Sequence, residues 1–140
     1  MKVIYRVFNG LPDWEWVNER VGIHRVDDTG GIMAVNEVTN DPVGACIFDN
    51  WTENSVQTHF LLDSPMVLRH GFLDVCYDFV FNSMKRKYMY GLVPGNNKKA
   101  LRLNKHMGWT VKTTLPEAFA DGEDYVLMQL TKADWGKANG

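Results

Sequence analysis

The chain has 140 residues, 45% of them hydrophobic and 23% charged, with a formal net charge of −2. That is the size and balance of one globular domain with a core of its own. The charge excludes a broad electrostatic grip on nucleic acid, and no apolar run approaches the ~20 residues that cross a bilayer.

Residues 2–8 are rich in β-formers and predict a first strand; they lack the apolar core and cleavage site of a signal peptide. A turn at 9–13 leads into a helix with Leu11, Trp14, Val17 and Val21 as its stripe, and 27–31 reads as a loop. Residues 32–38, 43–51 and 56–62 then predict an antiparallel meander, with turns at 39–42 and 52–55. Cys46 and Cys76 fall in apolar patterns without metal or redox spacing, so buried reduced thiols, no metal and a cytoplasmic setting are expected.

The clearest helix spans 71–84, where Phe72, Val75, Cys76, Phe79, Val80 and Met84 recur as one core-facing stripe. Lys85, Arg86 and Lys87 follow at the end where the helix dipole favours cations. Residues 88–93 predict a strand reached by a helical crossover from 56–62, which suits a parallel pair. After the polar turn at 94–96, Ala100, Leu103 and Met107 mark a compact helix over 97–107. Gly108 stands where a left-handed residue ends a helix, and Trp109 begins a last hairpin, 109–115 with 124–130, around Pro116, Asp121 and Gly122. Of the tryptophans, Trp14, Trp51 and Trp109 fit core stripes or strand ends, whereas Trp16 and Trp135 read as exposed contacts. No repeat or linker divides the chain, and a single domain over 1–140 is expected.

The run Val93, Asn97, Ala100, Asn104, Gly108, Trp109 resembles the C-terminal signature of the GNAT (Gcn5-related) N-acetyltransferases, V-x-x-x-N-x-x-A-x-x-x-Y-x-x-x-G-F. Asn104 stands in the tyrosine's place. The order of elements resembles that family along nearly the whole chain, with one N-terminal helix fewer than many members. The resemblance implies an α/β fold: a mixed twisted sheet flanked by helices, with two parallel strands splayed into a cleft. It also implies an N-acyltransferase that takes acetyl-coenzyme A as co-substrate and acts on an unidentified amine.

By the same resemblance, coenzyme A lies on the start of the 71–84 helix, where backbone N–H groups cradle a pyrophosphate. The family pattern there is Q/R-x-x-G-x-G/A. This chain has Leu68, Arg69, His70, Gly71, Phe72 and Leu73, so only Gly71 matches and Leu73 replaces a small residue. Arg69 and His70 offer direct phosphate contacts, or are solvated residues before a helix. Asn97 is either the family asparagine that fixes the pantetheine or an ordinary N-cap. Lys98, Lys99, Arg102, Lys105 and His106 offer charge to a coenzyme phosphate or an acidic partner, or form a solvated helix face.

The resemblance also implies that the thioester carbonyl meets a backbone N–H around Leu61, Leu62 and Asp63. Candidate bases are His59, Asp63, Glu37 and Asp49, and histidine is the residue type that exchanges its proton near neutral pH. Asn104 would replace the family's proton donor: an amide donates a hydrogen bond but gives up no proton. A second reading is a catalytically silent GNAT-fold interaction protein, in general character like small virion or host-takeover proteins of tailed bacteriophages. A homodimer or protein partner is compatible with either reading.

Overall fold

The structure is a computed structural model that describes residues 30–62 and 71–139, together with positions 2, 4, 6, 12, 13 and 16. The expected first strand, the first helix and the candidates Asp63, Arg69 and His70 lie outside the described residues, those isolated positions apart. Of these positions, 12, 13 and 16 are helical, Trp16 is exposed, and Arg6 grips Asp13 through two hydrogen bonds of 2.6 and 2.9 Å.

Among the described residues six strands form one sheet: β1 (Gly30–Val35), β2 (Pro42–Asp49), β3 (Ser55–Leu62), β4 (Tyr88–Pro94), β5 (Thr110–Ala120) and β6 (Glu123–Thr131), in the order β1-β2-β3-β4-β6-β5. All neighbouring pairs are antiparallel except β3 and β4, which run parallel as the helical crossover requires. Gly30 and Gly31 belong to β1 and not to the expected loop. The strand ends at Val35, short of the expected residue 38, because the Asn36 side chain accepts the N–H groups of Val38 (2.9 Å) and Thr39 (3.2 Å) and so draws both into the turn.

The crossover helix α1 (Phe72–Asp78) continues into a π-helical turn, Phe79–Ser83. Its buried residues are Phe72, Leu73, Cys76, Tyr77, Val80 and Phe81, in pairs every four residues. A stripe of period 3.6 predicts Val75 inside; instead Val75 is 55% exposed. The buried face runs through Leu73, Tyr77 and Phe81, four residues apart, and this turns Val75 outward. Phe48 packs on Phe79 and Phe60 on Tyr77 (centroids 5.4 and 6.1 Å), so α1 covers the sheet face that carries Cys46, Phe48, Val56, Thr58 and Phe60.

Helix α2 (Lys98–His106) begins at Asn97, whose side chain accepts the Ala100 N–H at 3.2 Å. It ends as a Schellman turn: Trp109 N–H reaches the Asn104 carbonyl (2.9 Å) and Gly108 N–H that of Lys105 (3.2 Å), with Gly108 at φ 104°. Strand β5 runs past Pro116 to Ala120, five residues beyond expectation, through an irregularity at Glu117 (φ 53°), whose N–H bonds Asp124 Oδ1 at 2.9 Å.

A third helix, α3 (Lys132–Asn139), has no counterpart in the sequence reading. It turns Trp135 inward, against expectation: the indole N–H bonds Asp74 at 2.9 Å and the ring stacks on Phe81. Cys46 and Cys76 are both free and buried.

Candidate active site

The strands β3 and β4 pair only at Ser55↔Tyr88, Val56↔Met89 and Gln57↔Tyr90, and beyond Gln57 they separate. A cavity of about 270 Å³ fills the gap. Its walls are Thr58, Phe60 and Leu62 of β3, Leu73 of α1, Gly91 to Pro94 of β4, and Asn97, Ala100, Leu103 and Asn104 of α2. Trp109 closes the floor, held by a 3.0 Å hydrogen bond from its indole N–H to the Tyr77 hydroxyl. A Cβ at Gly91 would lie in ordinary contact with that indole, at 3.5 Å.

The same position lies 3.8 Å from the Thr58 carbonyl, which therefore faces the β4 side. Strand alternation turns the N–H and C=O of Phe60 and Leu62 toward the same edge, where β4 no longer pairs with them. The edge of a split parallel pair thus offers ready hydrogen-bonding groups inside an apolar cleft.

Among the expected residues, Asn97, Asn104 and Leu62 meet at this cleft. Leu61 does not: its side chain is 61% exposed, on the face turned away from α1. Leu73 lies buried against the cleft, away from the open space beside Gly71. Gly71 itself is left-handed (φ 72°), with nothing within 4 Å of a Cβ built on it, and Phe72 is buried behind it. Lys98 is exposed in the first turn of α2. Asn104 points its amide to the Met128 thioether at 3.6 Å, so this donor already serves a sulfur acceptor.

His59 contributes backbone to the cleft while its imidazole lies on the other face of the sheet. There Nε2 is 3.0 Å from Asp49 Oδ2, a diagonal cross-strand pair that sequence spacing alone does not reveal. Glu37 sits apart, exposed in the turn after β1. Burial pushes the Tyr77 phenol well above its ordinary value, although the Trp109 bond opposes this. The Cys46 thiol is also pushed up, by its hydrogen bond with Cys76 and by burial. Among the described residues no three His, Cys, Asp or Glu side chains converge on a metal position, and no helix is long and apolar enough to cross a membrane.

No protein-family model and no curated protein matches the sequence. Solved structures match its fold. Mutant forms of the spermidine/spermine N-acetyltransferase SpeG from Vibrio cholerae superpose with a TM-score of 0.72 at 12% identity, over 92% of this chain and 81% of that one. The fold is that of the GNAT acetyltransferases. A ribosomal-protein-S5-alanine acetyltransferase from Vibrio fischeri matches with a TM-score of 0.67 at 16% identity, over 89% of this chain and 73% of that one. The splayed β3–β4 pair, the crossover α1 and the Asn97-capped α2 are the parts of this GNAT fold that build the cleft.

Proposed function

We propose that this chain is an N-acyltransferase that moves an acetyl group from acetyl-coenzyme A to a primary amine. The observation that carries the reading is the split of β3 from β4 after Gln57, which opens the sheet into a cleft with free backbone donors on one wall. In this reading two substrates meet at the gap from opposite faces of the sheet. The thioester enters from the α1–α2 side and the amine from the side of His59.

In this reading the N–H groups of Phe60 and Leu62 receive the thioester oxygen as it gains charge. The amine nitrogen attacks the carbonyl carbon, its proton passes to His59, the C–N bond forms and the C–S bond breaks. Asp49 holds the imidazole through Nε2 and leaves Nδ1 to accept that proton. The thiolate departs with the Asn104 amide as hydrogen-bond donor and takes its proton from solvent, because an amide supplies none. The phosphates are assigned to the open backbone at Gly71 and to Arg69, His70, Lys98 and Lys99.

Calorimetric titration with acetyl-coenzyme A, followed by thiol release over a panel of small amines, tests this. Saturable binding and thiol release are expected; no heat at millimolar ligand overturns the reading. A second reading, a GNAT-fold interaction protein without turnover, has Asn104 on its side. Asn104→Tyr separates the two: restoring a phenol raises turnover about 10²–10⁴-fold in an enzyme lacking only its acid. A folded variant as silent as the parent favours the second.

A further inference from the structure

At the far end of α1 from the cleft lies a second cavity, about 380 Å³, between the β1–β2 edge and the π turn. We propose that it is a binding site for a small carboxylate with an aromatic body. Phe48 and Phe79 form the apolar wall (centroids 5.4 Å apart), and Trp51 lies 5.8 Å from Phe48. Arg86 closes the site with its guanidinium carbon 5.1 Å above the Trp51 ring.

That guanidinium is incompletely satisfied. One Nη1–H donates to the Met84 carbonyl at 2.7 Å, while Nε is shut from water with no acceptor. No carboxylate pairs with it among the described residues. Beyond the Met84 bond no acceptor reaches its Nη edge among the described residues, and that planar edge matches a carboxylate two bonds at a time. Lys85 and Lys87, exposed on either side in sequence, add positive potential. The aromatic rings select a flat apolar body over a free inorganic anion.

Gly30 gives access. It pairs with Phe48, so a side chain there shares the cavity's face, and a Cβ at this position meets nothing within 4 Å. Gly30→Leu therefore plugs the mouth without touching Arg86, whereas Arg86→Gln removes the charge and keeps the size.

Phenylacetate is the probe, with benzyl alcohol as its uncharged counterpart, and the readout is the Trp51 indole and Arg86 Nε–H resonances. Saturable shifts with phenylacetate are expected, at least tenfold weaker with benzyl alcohol and in Arg86→Gln, and lost in folded Gly30→Leu. The Trp109 indole resonance in the cleft should stay in place. No saturable shift at millimolar phenylacetate, or equal affinity in Arg86→Gln, overturns the proposal. So does undiminished binding to Gly30→Leu, which covers the case in which the arginine variant fails to fold.

Discussion

Lys98 and Lys99 occupy the first turn of α2, which holds no acidic residue, and the positive end of a helix disfavours cations. In the acyltransferase reading a bound phosphate offsets that repulsion. Lys98→Glu with Lys99→Glu is then expected to stabilise the free protein by ~0.3–1 kcal/mol per site while weakening acetyl-coenzyme A. Urea unfolding and calorimetry on the same sample check both signs. Weaker folding, or unchanged affinity, removes these lysines from the site. The His59–Asp49 pair makes a second residue-scale prediction. His59→Gln should lower kcat by about 10²–10⁴-fold with little change in KM for acetyl-coenzyme A. Asp49→Asn should lower kcat less, because the imidazole remains but loses its orienting acceptor. Equal KM and kcat losses in both variants would make the pair a structural contact between β2 and β3.

The elements themselves follow local rules, and their ends are where tertiary contacts enter. Gly71 and Gly108 both have positive φ, but their surroundings differ. Gly71 faces open space, whereas a Cβ at Gly108 would lie 2.7 Å from the Asp134 carbonyl of α3. Gly71→Ala should cost the left-handed penalty alone, ~1–2 kcal/mol. Gly108→Ala adds a clash with backbone and should cost clearly more, as read by the urea midpoint. Equal losses would show that α3 does not dock where the α2 exit leaves room for it. Helix α1 is the other case. The 71–84 helix is legible from its apolar spacing, but that stripe takes in Val75 and leaves out Leu73, Tyr77 and Phe81. Phe79 meets Phe48 and Phe81 meets Trp135, residues distant in sequence, and these contacts set the buried face.

On the scale of the molecule, Tyr77 ties the layers together: its ring meets Phe60 of the sheet and Trp135 of α3, and its hydroxyl accepts the Trp109 indole. Burial raises its ionisation above that of an unfolded tyrosine. The folded state therefore keeps a proton that the unfolded chain gives up. This contribution is whole below the unfolded value of ~10 and is lost as pH rises beyond it toward the folded value. Unfolding free energies should fall steeply above that point, and Tyr77→Phe should flatten the fall while lowering stability at neutral pH, where Trp109 loses its acceptor. An unchanged alkaline slope would place the dependence elsewhere, with the buried Cys46 thiol next in line.

By itself the sequence determined what nearest neighbours decide. Period-two runs place the meander, the crossover makes β3 and β4 parallel, and Asn97 with Gly108 brackets α2, because propensity, capping and handedness act over a few residues. Asn104 and Leu62, named through the resemblance, line the cleft, while the Leu61 side chain points to the other face. The tertiary structure alone decided which face each strand residue takes at the split, that His59 meets Asp49 across two strands, that residues 132–139 form a helix, and that Arg86 folds over Trp51. Those outcomes depend on register and on contacts between residues far apart in the chain, and no local pattern encodes either.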